Sequence, residues 1–279
     1  MQEKWSTIIK PKVGLLDMNL KEFWQYRDLL FLLVKRNFKT IYMQTILGPL
    51  WIIINPMLTT IVFTIIFGNI ANIGTDGVPQ FLFYMTGNLS WIYFSTCLIQ
   101  TSNTFIANAH IFGKVYFPRL ITPVAVVITN LGNLCIQALI FFGFLAYYTI
   151  SGAVKPNIYI LLVPVLLLII SLIGLGIGII ISSLTTKYRD LNVLVGFGMQ
   201  LWMYATPVVY PISEIPERWA GLIMLNPISS VTEAMRFAFL GSGEFPLGYL
   251  IYSAVFAVVA IVLGLIMFSH IERTFMDTV

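Results

Sequence analysis

Charged positions are spaced along the 279-residue chain on a scale far longer than one helical turn. No Asp, Glu, Lys or Arg stands between Lys39 and Asp76, Asp76 and Lys114, Arg119 and Lys155, Lys155 and Lys187, Asp190 and Glu214, or Glu244 and Glu272. Each of these six stretches exceeds the ~20 residues that a helix needs to cross a hydrocarbon layer ~30 Å thick. In lipid only helices and closed barrels satisfy their own backbone polar groups. Leu161–Ile181 lacks the in/out alternation of a barrel strand. The pattern therefore predicts an all-α polytopic membrane protein with six transmembrane helices. We place them at Gly48–Ile70, Phe81–Ile106, Ile121–Ile150, Ile158–Ser183, Leu191–Ile212 and Leu247–Ser269.

Two further helical patterns lie outside the spans. From Lys21 to Tyr42, Lys21, Gln25, Asp28, Lys35 and Lys39 share one face, while Phe23, Leu30, Val34, Phe38 and Ile41 share the opposite one. Arg27 and Leu32 break the pattern. With Trp24, Tyr26 and Tyr42 as anchors, this predicts an amphipathic helix lying in the membrane interface rather than an ordinary lead-in. Between spans five and six, the segment 213–244 is half apolar and splits at Asn226-Pro227. Its pieces, Glu214–Leu225 and Ile228–Leu240, are too short to cross and suit two re-entrant or interfacial helices. Ser230-Val-Thr-Glu233 fits a capping box at the start of the second. Glu217, Arg218, Asn226, Pro227, Glu233 and Arg236 are candidates for a gate at the outer end of a pathway. A lid that merely packs on the bundle is an equal reading.

Charge fixes the orientation. Lys4, Lys10, Lys12, Lys21, Arg27, Lys35, Arg36, Lys39, Lys114, Arg119, Lys187, Arg189 and Arg273 fall on one side of the six spans, and only Lys155, Arg218 and Arg236 on the other. Both termini are expected in the cytoplasm, with residues 1–47 as a cytoplasmic segment and 48–279 as the membrane domain. The net charge of +4 follows from this asymmetry, so nucleic acid is not an expected partner. Charged residues make up 10% of the chain, against about 25% in a soluble domain. The first 20 residues lack the apolar core of a cleavable signal peptide. Cys97 and Cys135 both fall inside spans and suit packing better than a disulfide or zinc.

The search for chemistry excludes more than it finds. No ionisable carboxylate or amine lies inside a span, which disfavours a proton- or ion-coupled carrier. His110 and His270 have no second ligand at metal spacing, so no metal site is expected. The phosphate-cradling G-x-x-x-x-G-K-[ST] is absent, since Gly113-Lys114 is followed by Val115. ATP-driven work would need a separate subunit. Trp51, Tyr84, Trp91, Tyr93, Phe94, Trp202 and Tyr204 stand in spans beside neutral polar residues, a mixture suited to sugars. Aromatic belts and interhelical hydrogen bonds explain any one of them as well. Gly174, Gly176 and Gly178 on span four, and Gly196 and Gly198 on span five, permit close helix approach, within one subunit or between two.

At the second cytoplasmic connection the residues become specific. Asn108-Ala-His-Ile-Phe-Gly-Lys114-Val-Tyr-Phe-Pro118-Arg119, followed by Pro123, resembles the N-x-x-x-x-x-K-x-x-F-P-R-x-x-x-P segment of ABC-2 type permeases, the membrane subunits of polysaccharide exporters. Leu47-Gly-Pro-Leu-Trp51, Lys187-Tyr-Arg189-Asp190-Leu191, Ala205-Thr-Pro-Val-Val-Tyr210 and Leu225-Asn226-Pro227 with Arg236 resemble further motifs of that family, in its order. The likeness is greatest to permeases that export O-antigen.

The resemblance implies a homodimer of six-span subunits in a bacterial inner membrane, with two ABC ATPase subunits beneath that bind ATP and Mg, this chain holding no cofactor. It implies a short coupling helix at 107–119 seated on the ATPase, with Asn108, Lys114, Pro118, Arg119, Arg189 and Asp190 at that contact. The cargo it implies is an undecaprenyl-linked polysaccharide. Teichoic acid, capsule, and a small lipid or drug are alternatives on the same fold. A polyprenyl-linked glycosyltransferase would need a carboxylate pair or basic cluster at one membrane face, whereas Asp28, Asp190 and Glu272 are scattered. A passive channel is a third class.

Overall fold

In the computed structural model, which describes residues 24–42, 46–112, 114–115, 117–185, 188 and 190–278, the chain is helical, with no strand among those residues. Among these residues four helical segments are long and apolar enough to cross a membrane: Gly48–Ile70, Ile121–Ile150, Ile158–Thr185 and Leu247–Ser269. They coincide with expected spans one, three, four and six to within two residues.

Helix α1, Arg27–Tyr42, packs along α5, Ile121–Ile150. Leu33 is its buried residue, set among Phe105, Phe117 and Ile121, with Leu30 and Val34 beside it. Trp24, Phe31 and Leu32 are exposed, so α1 carries apolar side chains on a second face as well. Lys21 and Phe23 of the expected amphipathic pattern lie outside the described residues.

The first segment joins a 3-10 turn, Gly48–Leu50, to α2, Trp51–Phe63, and ends in a π-helical turn, Thr64–Ile70. Pro56 lies inside α2 and has no N–H to give the carbonyl of Ile52. Gln137 of α5 supplies the missing donor, its Nε2 lying 3.1 Å from that oxygen. A neighbouring helix thus repairs the break, the usual way a proline is tolerated in a membrane helix.

Expected span two divides. Helix α3, Gln80–Ser102, is followed at Asn103 by a short α4, Thr104–Phe112. The 23 residues of α3 reach ~34 Å, yet the helix is central rather than lipid-facing. It packs on α2, α5, α6 (Val163–Thr185) and α9 (Pro227–Leu240), and sixteen of its residues are buried. Several of its polar groups find partners inside the protein: Thr86 Oγ1 donates to Leu82 O at 2.8 Å, and Asn88 Nδ2 donates to Pro56 O at 3.1 Å.

Expected span five, Leu191–Ile212, is shorter than its uncharged run. Helix α7 covers Leu191–Tyr204 only, 14 residues or ~21 Å, and Thr206-Pro207 follows in a turn. The residue before a proline is driven out of the helical region. Among its residues only Met199 is buried.

Two short helices follow, α8 (Glu217–Met224) and α9, and then the long α10 (Leu247–Thr278). The start of α9 corrects an expectation. Asn226 is its N-cap, with Oδ1 accepting from Ile228 N at 3.2 Å, and Pro227 takes the first helical position. Ser230 sits inside the helix and meets Ser253 of α10 at 2.7 Å rather than capping anything. At the other end Gly241 adopts φ +70°, and Asn157 donates from N to Ala238 O and from Nδ2 to Phe237 O. Two of the orphan carbonyls of α9 thereby gain partners.

The glycines of α6 belong inside the subunit. A Cβ at Gly176 would lie 2.7 Å from backbone atoms of Ala260 and Ile261 in α10, and one at Gly178 would lie 2.6 Å from Thr101 of α3. Gly196 and Gly198 of α7 meet nothing within 4 Å.

Candidate functional site

Three places in the bundle gather the predicted residues. At the end carrying α4, the expected coupling helix is only partly helical. The helix runs to Phe112, and beyond it Lys114, Val115, Arg119 and Leu120 stand in turns or bends. Asn108 lies in α4, with Nδ2 donating to Thr104 O at 2.8 Å and Oδ1 accepting from Arg36 of α1 at 3.2 Å. Lys114 is exposed. Pro118 and Arg119 are half-buried, and the Arg119 guanidinium lies 5.7 Å from the ring centre of Phe112. Asp190 is exposed at the start of α7, while Arg189 lies outside the described residues.

At the opposite end two motifs distant in sequence are brought into one polar knot. Asn226 donates from Nδ2 to Thr206 Oγ1 at 2.8 Å and accepts from Trp202 Nε1 at 3.1 Å, so the start of α9 is tied to the end of α7. Arg236, 1% exposed, then closes the turn after α7. Its Nη2 donates to Val208 O at 2.7 Å and its Nη1 to Glu233 Oε1 at 2.7 Å. Its guanidinium lies 3.7 Å from the ring centre of Phe83 in α3. Gly87, one turn on, leaves room for it, because a Cβ there would lie 2.7 Å from both Arg236 Nη2 and Val208 O.

Such a charge is held away from water by a carboxylate, two carbonyls and a ring face. Burial pushes the Glu233 carboxyl above the usual carboxylate range, with the Arg236 guanidinium pulling back. Burial likewise pulls the Arg236 guanidinium below its usual range, opposed by Glu233. The four charges expected to act together are therefore separated. Glu233 and Arg236 are paired inside α9, whereas Glu217 and Arg218 stand exposed on α8. All of α9 except Phe237 is buried, so this helix belongs to the core and only α8 lies on its surface.

The aromatic candidates divide as well. Tyr84, Trp91 and Phe94 are buried within the single chain, Phe94 lying between Trp91 and Trp202 at 5.5 and 5.1 Å between ring centres. Tyr93 is buried with its hydroxyl 2.6 Å from Ser171 Oγ. Trp51 and Tyr204 are about half exposed.

The third place is a polar cleft between α2, α3 and α5, where Trp51 and Tyr93 meet Asn55, Gln100, Asn130 and Gln137. Asn130 Nδ2 donates to Gln100 Oε1 at 3.0 Å across it. Gly87, Phe83, the Val208 carbonyl and Gln137 escape sequence reasoning. A glycine followed by an asparagine in mid-span was the available signal for the first; a backbone acceptor carries none.

Comparison with known proteins agrees with this architecture. A family model described as ABC-2 type transporter matches residues 28–240. The chain is 33% identical over 225 residues to the O-antigen export system permease protein RfbA of Myxococcus xanthus, covering 79% of this chain and 83% of that protein. It is 29% and 28% identical to two proteins of the same designation from Klebsiella pneumoniae, over 253 and 252 residues, in each case 90% of this chain and 94% of theirs. The two motifs that meet at Arg236 and the α4 connection lie within the matched region, and the chain belongs to the ABC-2 type transporter family.

Proposed function

We propose that this chain is the permease half of an ATP-driven exporter that moves a lipid-linked polysaccharide, O-antigen, outward across a bacterial inner membrane. The observation that carries the reading is its likeness to O-antigen export permeases over 83–94% of their length. In this reading α3 and α7 are spans two and five, both termini are cytoplasmic, and two copies of the chain work above two ABC ATPase subunits. ATP and Mg belong to those subunits, since no phosphate cradle occurs in this sequence. The exposed apolar face of α7, with Val193, Leu194, Phe197 and Leu201, suits lipid or a second copy.

Purified alone, the chain is expected to hydrolyse no ATP. Co-purified with its ATPase it should support hydrolysis, and cells lacking it should lose surface polysaccharide and retain lipid-linked polymer inside. ATP turnover by the contaminant-free chain, or unchanged surface polymer after its deletion, contradicts the proposal.

Coupling gives a second expectation. Lys114→Glu and Arg119→Glu reverse charges on a short connection where, in this reading, the ATPase docks. Both variants should insert and fold, yet lose about tenfold in export. Export by both at the unmodified rate would reduce the two charges to topology signals.

A further inference from the structure

The polar cleft does not end at Gln100. That residue also lines a second hollow, of about 480 Å³, between α1, the α3–α4 bend and α5. The cleft above it holds about 260 Å³. The two hollows share Gln100 as a wall and lie along one line from α1 to the space between α3 and α5, a groove whose summed volume is within the size range of sites for small organic ligands.

Its chemistry is uneven in a telling way. Arg36 stands at the α1 end and is the only charged residue among the described residues of either lining. Among the described residues its guanidinium meets two neutral amide oxygens, those of Asn37 and Asn108 at 3.3 and 3.2 Å, and no carboxylate. Above it follow Asn103, Gln100, Asn55 and Gln137, ending beside the half-exposed ring of Trp51. Gln137 stands 16 residues into α5, roughly 24 Å along that helix, so the amides climb well into the layer that the bundle crosses. Of these amides Gln137 is buried and already donates to Ile52 O, whereas two others face outward. Asn55 and Gln100 are both exposed.

We propose that this groove binds the phosphate-bearing, hydroxyl-rich headgroup of a membrane lipid, with Arg36 taking the phosphate and the amide ladder taking the hydroxyls. A guanidinium that meets only neutral amides among the described residues can exchange them for stronger, charge-assisted bonds to an anion. Amides offer donor and acceptor together, as a hydroxyl requires. Among the described residues the lining carries a cation and no carboxylate, which suits an anionic rather than a cationic headgroup. Two sources share this chemistry: a polyprenyl diphosphate sugar, which is the cargo class under the function proposed above, and a resident glycerol phospholipid. Only the choice between the two rests on that function.

The test uses the full chain with its ATPase in phosphatidylcholine nanodiscs. It measures saturable binding of undecaprenyl diphosphate N-acetylglucosamine and, separately, of phosphatidylglycerol. Arg36→Gln and Gln100→Leu should each weaken at least one probe by about tenfold, while Lys35→Gln, on the exposed side of α1, changes neither more than about twofold. A loss confined to the diphosphate sugar identifies the cargo headgroup, and a loss confined to phosphatidylglycerol identifies a resident lipid; both support the site. No saturable binding to the unmodified complex, binding indifferent to both substitutions, or an equal loss with Lys35→Gln overturns it. Surface polysaccharide in cells carrying the unmodified chain reads the exporter function independently, so failure of the groove and failure of that function are separable.

Discussion

Replacing Arg236 by methionine will destabilise the chain by about 3–5 kcal/mol, because it leaves the Glu233 carboxylate buried without its counter-charge. Arg236 also holds the Val208 carbonyl and covers Phe83, so the turn after α7 loses its clasp. Removing both charges together, as Arg236→Met with Glu233→Leu, should recover much of the loss, since no uncompensated charge then remains. The pH dependence of the single variant has a definite sign. With the guanidinium gone, burial and the Asp76 charge both push Glu233 upward, so its folded pKa stands above the unfolded value of about 4.3. A raised acid is most stabilising below the unfolded value and loses that stability as pH rises through the folded one. Acidification from neutrality should therefore narrow the gap to the unmodified chain. Thermal unfolding in detergent, followed across pH for the three proteins, checks both statements. Equal destabilisation in the single and double variants would show that the clasp, not the charge balance, dominates.

Gly176→Leu will prevent α6 and α10 from closing, and it is the largest packing effect we expect. The two backbones touch at this point: a Cβ at Gly176 would sit 2.7 Å from main-chain atoms of α10, and one at Gly264 would sit 2.9 Å from Gly176 O. Overpacking ordinarily costs about 1–3 kcal/mol, and more where backbone rather than a flexible side chain is in the way. Even Gly176→Ala should destabilise, although alanine is favoured over glycine in a helix by about 0.5–1 kcal/mol. Gly196→Ala is the matched control. Nothing lies within 4 Å of that position, so the propensity gain stands unopposed and the monomer should be no less stable. The yield of monodisperse folded protein, with its melting temperature, separates the cases. If the two alanine variants behave alike, the close approach of α6 and α10 is wrong.

How much of this was legible beforehand depends on what each feature is made of. The spans at Gly48–Ile70 and Ile121–Ile150 emerge at the expected limits, because long uncharged runs record the need to exclude charge from lipid. Span five misled for the same reason. The absence of charge from Leu191 to Ile212 describes an environment, whereas the helix ends at Tyr204 because Pro207 and the carbonyl contacts of the next turn interrupt it. The capping pattern at Ser230 was a chance match inside a helix whose start Asn226-Pro227 had already fixed. The family motifs were readable one by one. Their meeting was not, since Arg236 joins Thr206–Tyr210 through carbonyl oxygens that any residue could supply. In the sequence Arg36 is one positive charge among thirteen; that its guanidinium meets amides and no acid among the described residues is a matter of packing.

The shortness of α7 has a consequence for the bilayer around it. With α7 as span five, as proposed above, a helix of 14 residues falls about 9 Å short of a ~30 Å hydrocarbon layer, whereas α5, with 30 residues, overshoots it by about 15 Å. Lipid cannot match both lengths along one perimeter. Beside α7 the chains must compress or the leaflet must dip, at a fraction of a kcal/mol per ångström of mismatch. That mismatch favours covering α7 with protein over leaving it in contact with acyl chains. Membrane thickness should therefore tune the association of this face, thicker bilayers driving it together and thinner ones relaxing it.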